Sequence, residues 1–321
     1  MIIPTYKRND DAMRCIASLQ NQSLEHFEIL LIDNAVDEGL KRRIHAFNLR
    51  ARLPVRYVAE ATQGLHHARH RGAKESRSDL LIFTDDDATF SPHCLSAYLR
   101  KFIQRQDMTA AGGPIRPRWQ NQPPRWLDQL VSEHPVFYPL SLMDLGPRFT
   151  LSYRGFFFGT NMAIRKSNLF EAGGFHPDSG PKGRRGDGET GLYRKLQSVG
   201  KLIGYVPDAI VYHIIPKERA TLDYLLHRVK REGQSDIFSK FYANNPRPVQ
   251  VLPHLFSVSL LNAPLWLTSS LLIKSTHHHV LRLHFRAALT RGRASQLARL
   301  IWDTEFQKML AQETWLPNPN V

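Results

Sequence analysis

The first hundred residues alternate short apolar runs with segments of helical period. Ile2 and Ile3 lead into Pro4 and Thr5. Asp10 or Asp11 is the expected cap of a helix carrying Ala12, Ile16 and Leu19 on one face. The run FEILLID, Phe27 to Asp33, is continuously apolar, as in a parallel strand covered on both sides. A helix around Leu40 to Phe47 follows, then a strand from Pro54 to Ala59 and a helix from Gly64 to Glu75. A fourth strand runs from Asp79 to Thr84, and Ser91-Pro92 opens another helix. This βαβα order predicts an α/β fold with a doubly wound sheet, in which ligands bind beyond the carboxyl ends of the strands. Thr5, Asp33, Glu60 and the run Asp85–Asp87 fall at those ends.

Further along, the pattern changes. Pro114 to Trp126 is rich in Pro and Arg and predicts a long loop reaching about Tyr153. FFFGTNMAIRKSNLFEAGGF then reads as a strand, a short helix and a Gly-Gly turn. GDGETGLYRKLQSVG opens a helix with an acid in its first turn, and KLIGYVPDAIVYH gives two short strands ending at His213. From Thr221 on, the chain reads as helical and basic. His277 to His279 reads as a solvated loop.

Composition adds a globular chain of 321 residues, 42% hydrophobic, without repeats or low-complexity tracts. A formal charge of +14 favours an anionic partner such as nucleic acid, acidic lipid or a phosphorylated substrate. Nucleic acid is disfavoured, because the basic residues are spread along the chain and no recognition motif is present. The two cysteines, Cys15 and Cys94, suggest a reducing compartment, with Cys15 as a small core residue. MIIPTY leaves little room for a first strand, so either that strand is short or the natural start lies upstream.

The chemistry concentrates at LLIFTDDDATF. Asp85, Asp86 and Asp87 repel one another, and nothing in the strand before them neutralises them. Asp85 and Asp87 could face one divalent cation, and Mg2+ or Mn2+ prefers carboxylate oxygens. The plainer alternative is a solvated turn capping the next helix.

IIPTYKR, EILLIDNAVDEG, GLHHARHRGA, FTDDDATFSP, GTNMAIRKSNLFEAGGF and GDGETGL stand in the order found in family 2 glycosyltransferases of the GT-A fold. The resemblance spans about residues 1 to 235. It implies a Rossmann-like mixed sheet, a nucleotide-sugar donor (a UDP-sugar favoured), and inversion at the anomeric carbon. Residues 1–113 would form the donor half, 114–215 the acceptor half, and 216–321 a basic helical extension. On this resemblance Asp33 hydrogen-bonds the nucleobase in a pocket with Pro4, Thr5, Tyr6 and Arg8. Gly64 and Arg69 approach the diphosphate, and Asp86 points to the sugar or ribose. Asp85, Asp87 and His213 hold the metal, and Gly159, Thr160 and Asn161 lie beside the acceptor. Trp119 and Trp126 either stack on a sugar or pack as a flap. Asp33 could instead form a turn, Arg69 a solvated helix face, and His213 a structural contact.

Inversion needs a carboxylate to accept the acceptor's hydroxyl proton. The family usually carries Glu-Asp at this helix start, whereas here the sequence is Asp187-Gly188-Glu189. By register Glu189 is the base, with Asp187 the alternative. The acceptor would be a glycan or a lipid-linked sugar in cell-surface polysaccharide assembly. A non-catalytic sugar-nucleotide binder and a sugar nucleotidyltransferase are the rival readings. The second lacks its Gly-rich loop in PTYKRNDD.

Leu255 to Ile273 is uncharged, and Lys274, Arg282, Arg286, Arg291, Arg293 and Arg299 follow, with Leu281, Leu283 and Phe285 among them. That combination fits a helix in the headgroup region of an anionic leaflet, and equally a helical pair packed on the domain. The expected location is cytoplasmic, peripheral on the inner face of the membrane.

Overall fold

The structure is a computed structural model, and it describes residues 1–178, 185–242, 248–272, 276–312 and 314–317. The chain opens with β1 (Ile2–Thr5), α1 (Asn9–Leu19), β2 (Ile29–Asp33), α2 (Glu38–Asn48), β3 (Val55–Ala59), α3 (Leu65–Glu75) and β4 (Leu80–Phe83). There follow β5 (Ala88–Phe90), α4 (Cys94–Gln104), β6 (Met108–Gly112), β7 (Ile115–Trp119), α5 (Arg125–Ser132), β8 (Val136–Phe137), β9 (Leu142–Met143) and β10 (Thr150–Ser152). Then come β11 (Met162–Arg165), α6 (Lys166–Glu171), α7 (Gly188–Ser198), β12 (Leu202–Tyr205) and β13 (Val211–Ile215). Four helices close the chain: α8 (Leu222–Phe241), α9 (Pro248–Leu271), α10 (His278–Trp302) and α11 (Thr304–Ala311).

The α/β expectation holds. Eight strands form one mixed sheet in the order β10-β12-β6-β11-β4-β1-β2-β3. β1 pairs in parallel with β2 and β4, and β2 with β3, so Thr5, Asp33 and the start of the aspartate run share one edge. β1 and β2 are buried along their whole length, as continuous apolar runs covered on both faces must be. β11 enters antiparallel between β4 and β6 and carries the chain before it, Gly159–Asn161, back to the same edge. One apolar cluster lies under α1, α2 and α4, and another under α3, α6 and α7.

Three expectations need correction. The Pro- and Arg-rich stretch is not one long loop: β7, β8 and β9 join β5 and β13 in a second sheet of order β5-β13-β7-β9-β8. β7 alternates buried and exposed residues, and its Arg116 and Arg118 point outward from the one-sided core of this sheet. Next, α1 begins at Asn9 without a side-chain cap. Asp10 and Asp11 lie in its first turn, where they pair with Arg43 and Arg14. Last, His278 and His279 open α10, so that tract is not a loop.

The C-terminal helices are a packed unit rather than an appended tail. Gly233 of α8 and Gly292 of α10 let the two backbones touch: a Cβ on Gly292 would stand 2.0 Å from the Lys230 carbonyl. α10 is therefore not a surface basic helix, and its Leu281, Ala287 and Leu297 are buried. The chain then returns to the main body, where the amides of Trp315 and Leu316 both donate to the Gly173 carbonyl. α9 carries the apolar surface instead. Phe256, Leu260, Leu267 and Leu271 recur at helical spacing and are 58–84% exposed. Ile273 and Lys274 lie outside the described residues.

Candidate active site

Two adjoining cavities open at the carboxyl edge of the main sheet. The first, about 310 Å³, is lined by Pro4, Thr5, Tyr6, Arg8, Asp85, Asp86, Asp87 and His213, with Arg219, Tyr224 and Arg228 closing it from the C-terminal side. The second, about 250 Å³, contains His66, Arg69, Asp85, Thr160, Asp187 and Glu189. Asp85 belongs to both.

The aspartates, which nothing in their own strand neutralises, are neutralised from far along the chain. Arg8 pairs with Asp86 and, at 2.9 Å, with Asp87. Arg219 reaches Asp87 at 2.8 Å, and Arg69 reaches Asp85 at 2.9 Å. Burial pushes Asp86 up to about 7 against the pull of Arg8. Burial would raise Asp87 as well, and the guanidiniums of Arg8 and Arg219 pull that carboxyl the other way. Lys7 adopts a left-handed φ of 54° just after β1, between the two cavity-lining residues Tyr6 and Arg8.

For a divalent cation the donor chemistry fits at Asp87 and His213. His213 Nδ1 lies 2.9 Å from the Leu140 carbonyl, which assigns its proton to that nitrogen and leaves Nε2 a lone pair, which accepts from the Arg219 guanidinium at 3.1 Å. Nε2 faces Asp87 Oδ1 at 3.5 Å, and that oxygen is buried without a hydrogen-bond donor. Two acceptors turned toward each other suit positive charge, which Arg219 supplies to both residues here and which a divalent cation would supply in its place. Asp85 is turned instead to Arg69 and to Thr160, whose hydroxyl donates to Asp85 Oδ2 at 2.5 Å. Among the described residues no group of three or more His, Cys, Asp or Glu side chains is gathered as a metal cluster.

Glu189 sits in the first turn of α7, with its side chain about a quarter exposed to the second cavity. Its Oε2 lies 3.4 Å from Arg69, and its Oε1 accepts from the Gly159 amide at 3.3 Å. His66 Nε2 is 3.8 Å away, but burial, reinforced by Arg69, lowers the imidazole well below its ordinary value, so Arg69 is the cation that faces Glu189. Arg69 is itself fully buried, and its guanidinium lies over the Phe175 ring. A Cβ on Gly159 would stand 2.2 Å from its Nη2.

Asp187 is differently placed. Its carboxylate accepts from Ser239 and meets His176 Nδ1, each at 2.5 Å, and its side chain is 2% exposed. The departure at Gly188 has a local cause. The residue holds φ +51°, and a Cβ there would lie 2.4 Å from His66 Nε2.

Several expected site residues lie elsewhere. Asp33 is fully buried, its oxygens taken by the amides of Ala35 and Asp37 and by the Tyr57 hydroxyl at 2.7 Å, as in the turn alternative. Gly64 precedes α3 at φ 139° and donates to Asn34. Asn161 is buried, holding the Pro114 and Ala209 carbonyls and the Tyr98 hydroxyl. Trp119 and Trp126 pack on the core of the second sheet, outside both cavities. Arg219 and Arg228 were not anticipated. Their only local signal is position, shortly after the strand that carries His213.

The model of the family described as Glycosyl transferase family 2 matches residues 1–171. The chain is 23% identical to a glucosyl-dolichyl phosphate glucuronosyltransferase of Haloferax volcanii over 73% of this chain and 75% of that protein. It is also 23% identical to the succinoglycan biosynthesis protein ExoM of Rhizobium meliloti, over 72% and 71%. In fold it resembles a mannosyltransferase of Pyrobaculum calidifontis solved with GDP-Man and Mn2+, at TM-score 0.59 and 15% identity, covering 94% of this chain and 86% of that one.

Proposed function

Since the chain belongs to glycosyl transferase family 2 and carries a GT-A type fold, we propose that it is an inverting transferase whose base is Glu189. The observation carrying this reading is Glu189 itself, a partly exposed carboxylate separated from Asp85 of the neighbouring cavity by a single guanidinium. The donor is a nucleotide-diphosphate sugar, with a UDP-sugar favoured. Its diphosphate would lie in the first cavity, whose Arg8 and Arg219 offset anionic charge. The acceptor hydroxyl would enter the second cavity.

There Glu189 takes the hydroxyl proton as the oxygen attacks the anomeric carbon. The new C–O bond forms on the face opposite the breaking bond to phosphate, and the nucleoside diphosphate leaves with the bonding pair. Arg69 holds Glu189 in place. Thr160 and Arg69 fix Asp85 at the wall between the cavities. Asp87 and His213 would hold Mg2+ or Mn2+, which when bound supplies positive charge to the diphosphate.

The acceptor proposed is a glycan or lipid-linked sugar, as the name of the Haloferax relative suggests, and the pathway cell-surface polysaccharide assembly, as that of ExoM suggests. Residues 1–113 serve the donor and 114–215 the acceptor, and the helices after 215 complete the cleft through Arg219 and Arg228. The exposed face of α9 would rest on the cytoplasmic side of an anionic membrane. A panel of nucleotide sugars with Mn2+, read by thermal shift and by donor hydrolysis, tests the reading. A protein that binds and hydrolyses none of them would contradict it.

A further inference from the structure

A third cavity, about 480 Å³, lies behind the second. It is chemically unlike the other two. Phe137, Tyr193, Val229, Leu281, Phe285 and Leu289 supply apolar walls from the second sheet and from α7, α8 and α10. The two cavities share Tyr138, Thr190, Tyr193, Arg228 and Glu232, and Thr190 directly follows Glu189. The apolar chamber therefore adjoins the cavity of Glu189 along these shared residues.

The chamber also has a charge preference. Arg194, Arg228 and Arg282 line it, and among the described residues none of the three is in an ion pair. Of its acids, Asp236 is paired with Arg293 at 2.7 Å, which leaves Glu232, raised by burial and by Asp236 against the pull of Arg228 and Arg194, as the one acid facing three guanidiniums. The lining is apolar with surplus guanidinium, a combination that suits an apolar chain bearing a phosphate. α10 links this chamber to the outside: Leu281 and Phe285 face the cavity, while α9 packs along the same helix and exposes Phe256, Leu260 and Leu267.

We propose that this cavity holds the phosphate and the first apolar units of a lipid-linked acceptor, with its hydroxyl-bearing sugar at Glu189. The proposal rests on the transferase reading and narrows its acceptor to an amphiphile delivered from a lipid surface.

Calorimetric titration of the full chain with farnesyl phosphate, farnesol and inorganic phosphate tests it, with UDP plus Mn2+ titrated in parallel. Farnesyl phosphate should bind, farnesol about tenfold more weakly for want of charge-assisted hydrogen bonds, and inorganic phosphate not measurably. Leu289→Trp fills the chamber and Arg282→Glu reverses charge at its exposed rim. Each should weaken farnesyl phosphate about tenfold or more and leave UDP–Mn2+ binding unchanged. Arg282 is exposed, so its variant still decides the matter should the tryptophan impair folding. Equal binding by the parent and Arg282→Glu, or no binding of farnesyl phosphate by a chain that binds UDP–Mn2+, would overturn the proposal alone. Loss of UDP–Mn2+ binding in the parent chain would count against the transferase reading beneath it.

Discussion

Arg69 and Glu189, 120 positions apart in sequence, meet at 3.4 Å, and the same guanidinium holds Asp85 at 2.9 Å. One buried cation thereby spaces the proposed base from the aspartate wall of the donor cavity. Its pocket depends on a missing side chain, since a Cβ on Gly159 would overlap the guanidinium. Gly159→Ala should displace Arg69 and lower turnover about a hundredfold, the scale on which small misplacements act, with nucleotide binding within about twofold of the parent. Steady-state kinetics beside nucleotide titration checks this, and unchanged turnover would remove Arg69 from the account.

Asp87→Asn should remove the buried anionic oxygen that faces His213, and turnover should fall about a hundredfold or more, with a lower melting temperature because Arg8 and Arg219 lose their partner. Chelator should silence the parent enzyme, and Mn2+ should restore it. Full activity in excess chelator would contradict the assignment of Asp87 and His213 to a cation.

His70 gives a pH prediction remote from the reaction. Its buried Nε2 accepts from the Phe175 amide at 2.9 Å, and burial pulls the imidazole down to about 3. Unfolding frees it to protonate near its ordinary value, about 6.5. The folded state thus binds fewer protons between those values, and stability falls as pH drops below about 6.5, by about 1.4 kcal/mol per pH unit from this group. Denaturant titrations of His70→Gln, which keeps an acceptor and does not titrate, should show a shallower acid slope. An identical slope would assign the acid sensitivity elsewhere.

Phe256, Leu260 and Leu267 lie on one exposed stripe of α9, the described helix long and apolar enough to cross a membrane. The full chain should float with anionic vesicles, and replacing all three by Asp should abolish flotation without unfolding the protein, because none is buried. Flotation unaffected by the triple replacement would mean that another surface is responsible.

The parallel strands were legible because β1, β2 and β4 are buried on both faces, so their sequences are apolar throughout. The aspartate run was legible for the same reason, since charge follows directly on a core strand. Its partners were not. Arg8, Arg69 and Arg219 are ordinary basic residues until the sheet brings three distant segments to one edge. Asp33 looked like a ligand because its neighbours do, but Tyr57 on the adjacent strand occupies it, through a pairing that no local pattern announces. The second sheet was hidden by strands as short as two residues, below the length at which alternation can be read. α10 fitted both a membrane-surface helix and a packed one, because arginines and apolar residues are interspersed along it. The glycine contact with α8 that buries its other side is a tertiary fact.

Glu189 is the group proposed to take the acceptor's proton. Glu189→Gln keeps the shape of the side chain and removes its basicity. With a donor identified from the panel, transfer to acceptor and binding of that donor should be measured on this variant and on Asp187→Asn. Glu189→Gln should lose transfer by about a thousandfold or more while donor affinity stays within about twofold, because the base acts on the acceptor alone. Asp187→Asn, whose carboxylate is held by His176 and Ser239, should lose stability before it loses chemistry. A Glu189→Gln enzyme that transfers at the parent rate, beside a folded but inactive Asp187→Asn, would contradict the account and move the base two residues back along the chain.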